Sequence, residues 1–129
     1  SQTNNIEIIN SLSKKFNQNI LFDIDTLVTS PGNLIKYNFI FEQNKIDLSL
    51  DYLDNLNTLI NLYKKERNIF YKELIYFFTD YHLCNFKKQN SISNEDFIFN
   101  HLTTKRKIND FFVLNLSQTS LMNSLESNI

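Results

Sequence analysis

The feature that most constrains the fold is the segment Ile69 to Phe86, where apolar side chains cover most of the circumference of a helix. Its residues at helical spacing are Phe70, Tyr71, Leu74, Phe77, Phe78 and Tyr81. A helix that is apolar nearly all round is either central to its fold or covered by a second chain. The segment therefore predicts either a core helix or a helix that offers part of its surface to a partner.

Helical spacing also appears on both sides of this segment. Ile6, Ile9 and Leu12 predict a first helix from about Asn4 to Asn17. A second pattern runs from Leu53 to about Phe86, with a break near Arg67-Asn68. We therefore expect two helices there, joined by a short turn.

The C-terminal third shows three further signals. Ser93 with Asp96 three residues later is typical of a helix start, and predicts a helix from about Asn94 to Thr104. Leu121, Leu125 and Ile129 predict a short amphipathic helix. The apolar run Phe111 to Leu116 fits either a buried helix or a strand.

Residues 20–52 favour strands. Ile20, Phe22, Ile24 and Val28 alternate with polar residues, as do Ile35, Tyr37, Phe39 and Phe41, and then Ile46, Leu48 and Leu50. The only proline and the only glycine stand together in Ser30-Pro31-Gly32-Asn33, which is typical of a turn. The pattern predicts a three-stranded antiparallel meander. In the alternative, Ser30 caps a helix that has Pro31 at its first position, and the whole chain is helical.

The predicted fold class is therefore α+β: an N-terminal helix, a three-stranded antiparallel meander, and a mostly helical C-terminal half. The alternative is an all-α bundle. By element order alone, helix, three strands and helix is similar to double-stranded-RNA-binding domains and to type III secretion chaperones. The first resemblance implies basic residues at the start of the second helix. The corresponding residues of this chain, Leu53-Asp54-Asn55-Leu56, are acidic and polar instead. The second implies a small, slightly acidic homodimer.

Composition sets the broad class. The chain has 129 residues, 42% of them apolar and 21% charged, so we expect one globular domain over residues 1–129. Cys84 is the only cysteine, which fits a reducing compartment such as the cytoplasm. The longest apolar run, Leu74 to Phe78, is too short for a membrane span. The abundance of Asn, Ile, Lys, Phe and Tyr, with no alanine, indicates an AT-rich genome.

Charge is distributed unevenly, although the net charge is −1. Residues 23–54 carry six acidic and two basic residues, whereas residues 55–110 carry nine basic and six acidic ones. The clustered cations are Lys64, Lys65, Arg67, Lys87, Lys88, Lys105, Arg106 and Lys107. Gathered on one face, they would bind the phosphates of a nucleic acid.

No set of residues predicts catalysis or a cofactor. Asp23 and Asp25 share one face of the first predicted strand but lack a partner base or a phosphate-binding loop. His82 and Cys84 are two residues apart, so a helix directs them to different faces. Even with His101, a zinc site would be short of ligands. We therefore expect no enzyme activity, no metal and no cofactor.

The main functional hypothesis follows from the surplus of aromatic side chains. It is a non-enzymatic protein-binding module, such as an adaptor, an assembly factor or a chaperone-like subunit, whose partner is another protein or a second copy of itself. Phe70, Tyr71, Leu74, Phe77, Phe78 and Tyr81 are the candidate partner-binding residues. The alternative is a small nucleic-acid-binding protein that uses the clustered cations.

Overall fold

A computed structural model of the chain describes residues 2–23 and 29–126. The chain divides into two compact units, residues 1–50 and 51–129, and each is described by itself. Its helices are α1 (Gln2–Lys15), α2 (Pro31–Gln43), α3 (Tyr52–Glu66), α4 (Ile69–Asn90), α5 (Asn94–Val113) and α6 (Gln118–Glu126). The prediction of a single domain over residues 1–129 stays a prediction.

The predicted meander is wrong, because the described residues form helices, turns and loops and contain no strand. The segment expected to be the second strand is α2, residues 46–50 form a loop that contains a turn, and residues 20–23 are irregular. Ile24, Asp25 and Val28, which belonged to the first predicted strand, lie outside the described residues. The α+β class is replaced by the all-α alternative, and the resemblances that depended on three strands no longer apply.

The N-terminus of α2 explains the error. Ser30 is the N-cap, with its hydroxyl oxygen accepting a hydrogen bond from the Asn33 amide, and Pro31 opens the helix. Proline suits that position because its missing N–H would have no partner within the helix. Gly32 has no positive φ, so the turn that would need its flexibility is absent from this position. Leu34, Ile35, Tyr37, Asn38 and Phe41 are buried at spacings that a helix brings to one side.

A buried asparagine fixes the chain that follows α1 against α2. Asn38 is fully buried, and its Oδ1 accepts a hydrogen bond from the Leu21 amide at 2.8 Å. Its Nδ2 donates to the Asn19 carbonyl at 2.8 Å and to Gln18 Oε1 at 3.0 Å. Next to this network the Phe22 ring meets the Phe41 ring edge to face at 5.0 Å. In the first unit α1 packs against α2, and residues 18–22, which follow α1, are held to α2 by polar and aromatic contacts.

The second unit is a ring of four helices. α3 packs against α4, α4 against α5, α5 against α6, and α6 against α3. Arg67, in the left-handed conformation, ends α3 and donates its amide to the Tyr63 carbonyl, and Asn68 caps α4. The two-helix reading of residues 53–86, with a turn at Arg67-Asn68, is confirmed.

The remaining C-terminal predictions hold in the described residues. Ser93 caps α5, its hydroxyl oxygen accepting a hydrogen bond from the Asp96 amide at 3.1 Å. α5 continues beyond Thr104 to Val113, so the first part of the ambiguous run 111–116 is helical. α6 contains Leu121 and Leu125, both buried, whereas Ile129 lies outside the described residues.

Over residues 2–23 and 29–126, none of the helices combines the length and the apolar character that crossing a bilayer requires.

The Asn38 network gives a test of the first unit. We expect Asn38→Leu to lower the free energy of unfolding by about 1–3 kcal/mol, because the Leu21 amide and the Asn19 carbonyl lose their buried partner. Amide hydrogen exchange at Leu21 should accelerate in the same variant. Asn33→Leu, at an exposed position of α2, is the matched control and should change neither quantity appreciably. Unaltered protection of the Leu21 amide in Asn38→Leu would contradict this account.

Candidate functional site

The candidate site is the outward face of α5, and contacts with α4 set its orientation. Lys87 Nζ donates to Asn94 Oδ1 at 2.6 Å near the start of α5. Midway, Asp80 contacts His101 and Lys105, and further on the Tyr76 hydroxyl donates to Asn109 Oδ1 at 3.3 Å. The contacting residues come earlier in α4 as they come later in α5. The two helices are therefore antiparallel, with a fixed register.

This register turns one face of α5 toward the interior. Thr104, Ile108 and Phe111 are buried. Beside them the Phe112 ring lies 5.1 Å from the Tyr63 ring and 6.0 Å from the Tyr76 ring, so it joins α5 to both α3 and α4. These side chains meet the requirement that a bundle helix bury an apolar stripe.

The opposite face of α5 carries a second apolar group. Ile98, Phe99 and Leu102 are 55%, 68% and 64% exposed, and we call these three residues the α5 outer patch. They occupy adjacent turns on one side of the helix, since residues three and four apart are neighbours on a helix surface. Single exposed apolar residues are ordinary, but a contiguous group rimmed by polar side chains is typical of an interaction surface.

Two charged residues bracket the patch. Glu95 lies one turn before Phe99, and Arg106 lies one turn after Leu102; both are exposed. The acidic end coincides with the helix N-terminus, where a carboxylate is favoured by the helix dipole. Along the chain, the outward face of α5 therefore carries an acidic residue, then the α5 outer patch, then a basic residue.

The residues predicted to bind a partner lie mostly inside the protein. Leu74, Phe77, Phe78 and Tyr81 are buried. Only Phe70 and Tyr71 are partly exposed, and their rings are 5.7 Å apart. α4 packs against both α3 and α5, which explains why its sequence is apolar on more than one side. The six residues do not form one exposed surface.

The predicted basic residues are spread over several levels of the second unit. Lys64, Lys65 and Arg67 lie at the end of α3, beside the start of α4. Lys87 and Lys88 lie in the last turn of α4, about 27 Å along the helix from its first residue. The structure does not bring these two clusters together.

Several of these cations are also engaged within the chain. Lys64 Nζ donates to Gln118 Oε1 at 2.8 Å, and Lys107 Nζ donates to the Ser124 carbonyl at 2.8 Å. Lys87 lies over the Phe97 ring, 4.8 Å from its centroid. Arg106, by contrast, is exposed beside the α5 outer patch.

A polar cluster joins α4 to α5. Asp80 Oδ1 is 3.2 Å from His101 Nε2 and 3.1 Å from Lys105 Nζ. Since these side chains are partly exposed, such a pair contributes on the order of 0.2–1 kcal/mol to stability. Its main effect is to fix the register between the two helices, and so to hold His101 and Lys105 on the α4 side of α5.

A second polar contact joins α3 to α4. The Tyr52 and Thr79 hydroxyls are 2.7 Å apart, and the Thr79 hydroxyl also reaches the Ile75 carbonyl at 2.8 Å. Burial raises the pKa of Tyr52 well above its usual value. The His82 ring stacks on Tyr52 at 4.2 Å, and its buried Nε2 lacks a hydrogen-bond partner among the described residues.

The other residues considered for chemistry do not assemble into a site. Burial raises the pKa of the Cys84 thiol, which makes it a poorer nucleophile. Asp23 is exposed, and Asp25 lies outside the described residues. Within the described part of the chain, no three His, Cys, Asp or Glu side chains are grouped as a metal would need.

Comparison of the chain with protein-family models, curated proteins and solved structures found no match.

Sequence reasoning missed the α5 outer patch. The signal was present, because α5 carries apolar residues on two sides, Ile98 and Leu102 on one and Ile108 and Phe111 on the other. Periodicity predicts that such a helix is amphipathic or buried, but not which side faces inward. That choice depends on the contacts with α4.

His82 gives this region a pH dependence. Burial lowers its pKa below the ordinary 6.5, while the Asp51 carboxylate acts in the opposite direction. The unfolded chain therefore binds the proton more readily, so stability is retained above about pH 6.5 and declines as the pH falls through that value toward the lower pKa of the folded state. We expect His82→Phe, which keeps a ring against Tyr52, to reduce this acid-dependent loss. The check is denaturant unfolding between about pH 8 and pH 5; identical pH profiles for both proteins would contradict it.

Proposed function

We propose that this chain is a non-enzymatic protein-binding module, in the class of adaptors, assembly factors and chaperone-like subunits, and that it binds its partner through the α5 outer patch. The supporting observation is the exposure of Ile98, Phe99 and Leu102, each more than half accessible, on a helix whose opposite face is already buried. A rigid helix presenting apolar anchors is a common form of protein recognition site.

The energetics favour a partner at this face. Covering an exposed Leu or Phe side chain contributes about 1.5–3 kcal/mol. The three side chains project from a helix that is held on its other side by α4 and α6, so little conformational order must be gained on binding. The apolar side chains of the patch suit the centre of an interface, while Glu95 and Arg106 suit its rim.

The first unit offers a smaller apolar feature. Phe16 and Phe39, both exposed, line a shallow groove of about 280 Å³ together with Gln18 and Glu42. Phe16 lies in the turn after α1 and Phe39 lies in α2, and both rings are surrounded by polar side chains. The α5 outer patch is the stronger candidate, because its three apolar residues are contiguous on one helix.

The proposal includes no catalytic step. The Asp80, His101 and Lys105 cluster has a structural role in it, since its side-chain contacts bridge α4 and α5. We further propose a cytoplasmic location, which the single free thiol of Cys84 suits.

The test uses Leu102→Asp, which places a charge in the centre of the patch. Leu102 is exposed, so the helix content of the variant, measured by circular dichroism, should be unchanged. The chain is used to capture bound protein from an extract of the source organism. We expect the variant to recover about tenfold less bound protein or lower, since the loss of about 1.4 kcal/mol of binding free energy weakens binding tenfold.

Ile69→Asp is the matched control, because Ile69 is 69% exposed and lies at the first position of α4, away from the patch. It should recover bound protein as well as the unchanged chain does. Equal recovery with Leu102→Asp would show that the patch does not bind the partner.

A further inference from the structure

We propose that the occupant of the α5 outer patch is a second copy of this chain, docked antiparallel along α5. This inference rests on the proposed protein-binding function and names its partner. It is carried by the order of charged and apolar residues along the exposed face of the helix.

The exposed face of α5 has the spacing of a helix-pairing seam. Its residues are separated by four, three and four positions, and all are exposed: Glu95, Phe99, Leu102 and Arg106. This heptad spacing keeps a stripe of side chains facing a second helix along several turns. Phe99 and Leu102 are apolar and lie between the charged residues Glu95 and Arg106. Ile98 is next to Phe99.

The seam is symmetric about a point between Phe99 and Leu102. Glu95 lies four residues before Phe99, and Arg106 lies four residues after Leu102. A twofold axis through that point places Phe99 against Leu102 of the partner subunit. The same axis places Glu95 against Arg106 of the partner subunit, and the reciprocal contacts follow from the symmetry.

Charge selects this direction over the other. In a parallel pair, each Glu95 would face the same residue of the other copy, and each Arg106 likewise, so both ends would repel. In the antiparallel pair both ends join opposite charges around an apolar centre. The face is thus complementary to itself, which is the property that an isologous dimer interface requires.

The size of the seam sets the strength of the association. From Glu95 to Arg106 the helix extends about 17 Å. An interface of this length is at the small end for specific contacts, below the roughly 800 Å² per partner of a standard interface. The dimer is therefore concentration-dependent, and monomer and dimer exchange.

The test exploits the reciprocal charges with two single variants, Glu95→Arg and Arg106→Glu. Self-association of the first places two arginines together at each end of the seam, and self-association of the second places two glutamates together. We expect each variant alone to dimerise about tenfold more weakly than the unchanged chain at low salt. Mixed in equal amounts, they should form a heterodimer with an affinity within a few fold of the original, because both ends again pair opposite charges.

Sedimentation equilibrium over a range of protein concentrations measures all of these species, and circular dichroism checks that each variant keeps its helix content. Ile69→Asp should self-associate as the unchanged chain does, and Leu102→Asp should not. An unchanged chain that stays monomeric up to about 1 mM, the dissociation constant of a very weak complex, would overturn the inference. So would a mixture of the two charge variants that associates no better than either one alone.

These outcomes separate the inference from the proposed function. If the unchanged chain is monomeric but Leu102→Asp still abolishes capture of another protein, the patch binds a different partner and the dimer is wrong. If Leu102→Asp affects neither capture nor self-association, both proposals are wrong.

Discussion

The contact between α4 and α5 is the constraint on which the second unit depends. Asp80 holds His101 and Lys105 on the near side of α5, and Tyr76 reaches Asn109 one turn beyond Lys105. Together these contacts set both the register and the rotation of α5. Each contact contributes little energy, but together they hold α5 at several points along its length. They therefore fix its rotation about its own axis. That rotation is what makes Ile108 and Phe111 core residues and leaves Ile98, Phe99 and Leu102 outside.

The distribution of apolar residues follows from this arrangement. α4 has α3 on one side and α5 on the other, so its aromatic side chains are used for packing within the chain. α5 has a buried side and a free side, and its sequence places apolar residues on both. The exposed apolar residues that are contiguous on one helix therefore lie on α5, at Ile98, Phe99 and Leu102.

The sequence predicted most helix boundaries in the second unit because they carry local chemistry. Ser93 with Asp96 marks a cap, and Arg67-Asn68 interrupts a long apolar pattern where α3 ends and α4 begins. Residues 31–43 were misassigned because their apolar residues satisfy two periods at once. Tyr37 and Phe41, four residues apart, fit an alternating strand as well as one helix face, and the choice depended on whether Ser30-Pro31 begins a helix or a turn. The Ser30 cap decides it.

The candidate site was less predictable than the fold for a physical reason. Which of two apolar faces lies inside depends on side chains of another helix, and sequence spacing within α5 does not contain that information. The burial of Leu74, Phe77, Phe78 and Tyr81 likewise depends on α3 and α5 both packing against α4.

The most direct measurement of the central claim, that α5 turns Ile98, Phe99 and Leu102 outward, is thiol labelling in a Cys84→Ser background. A cysteine is introduced at Leu102 in one variant and at the buried Thr104 in another. We expect the thiol at position 102 to react with a maleimide rapidly in dilute protein and more slowly as protein concentration rises, and the thiol at position 104 to stay protected throughout. Faster labelling at position 104 than at position 102 would contradict the account, because α5 would then face the opposite way.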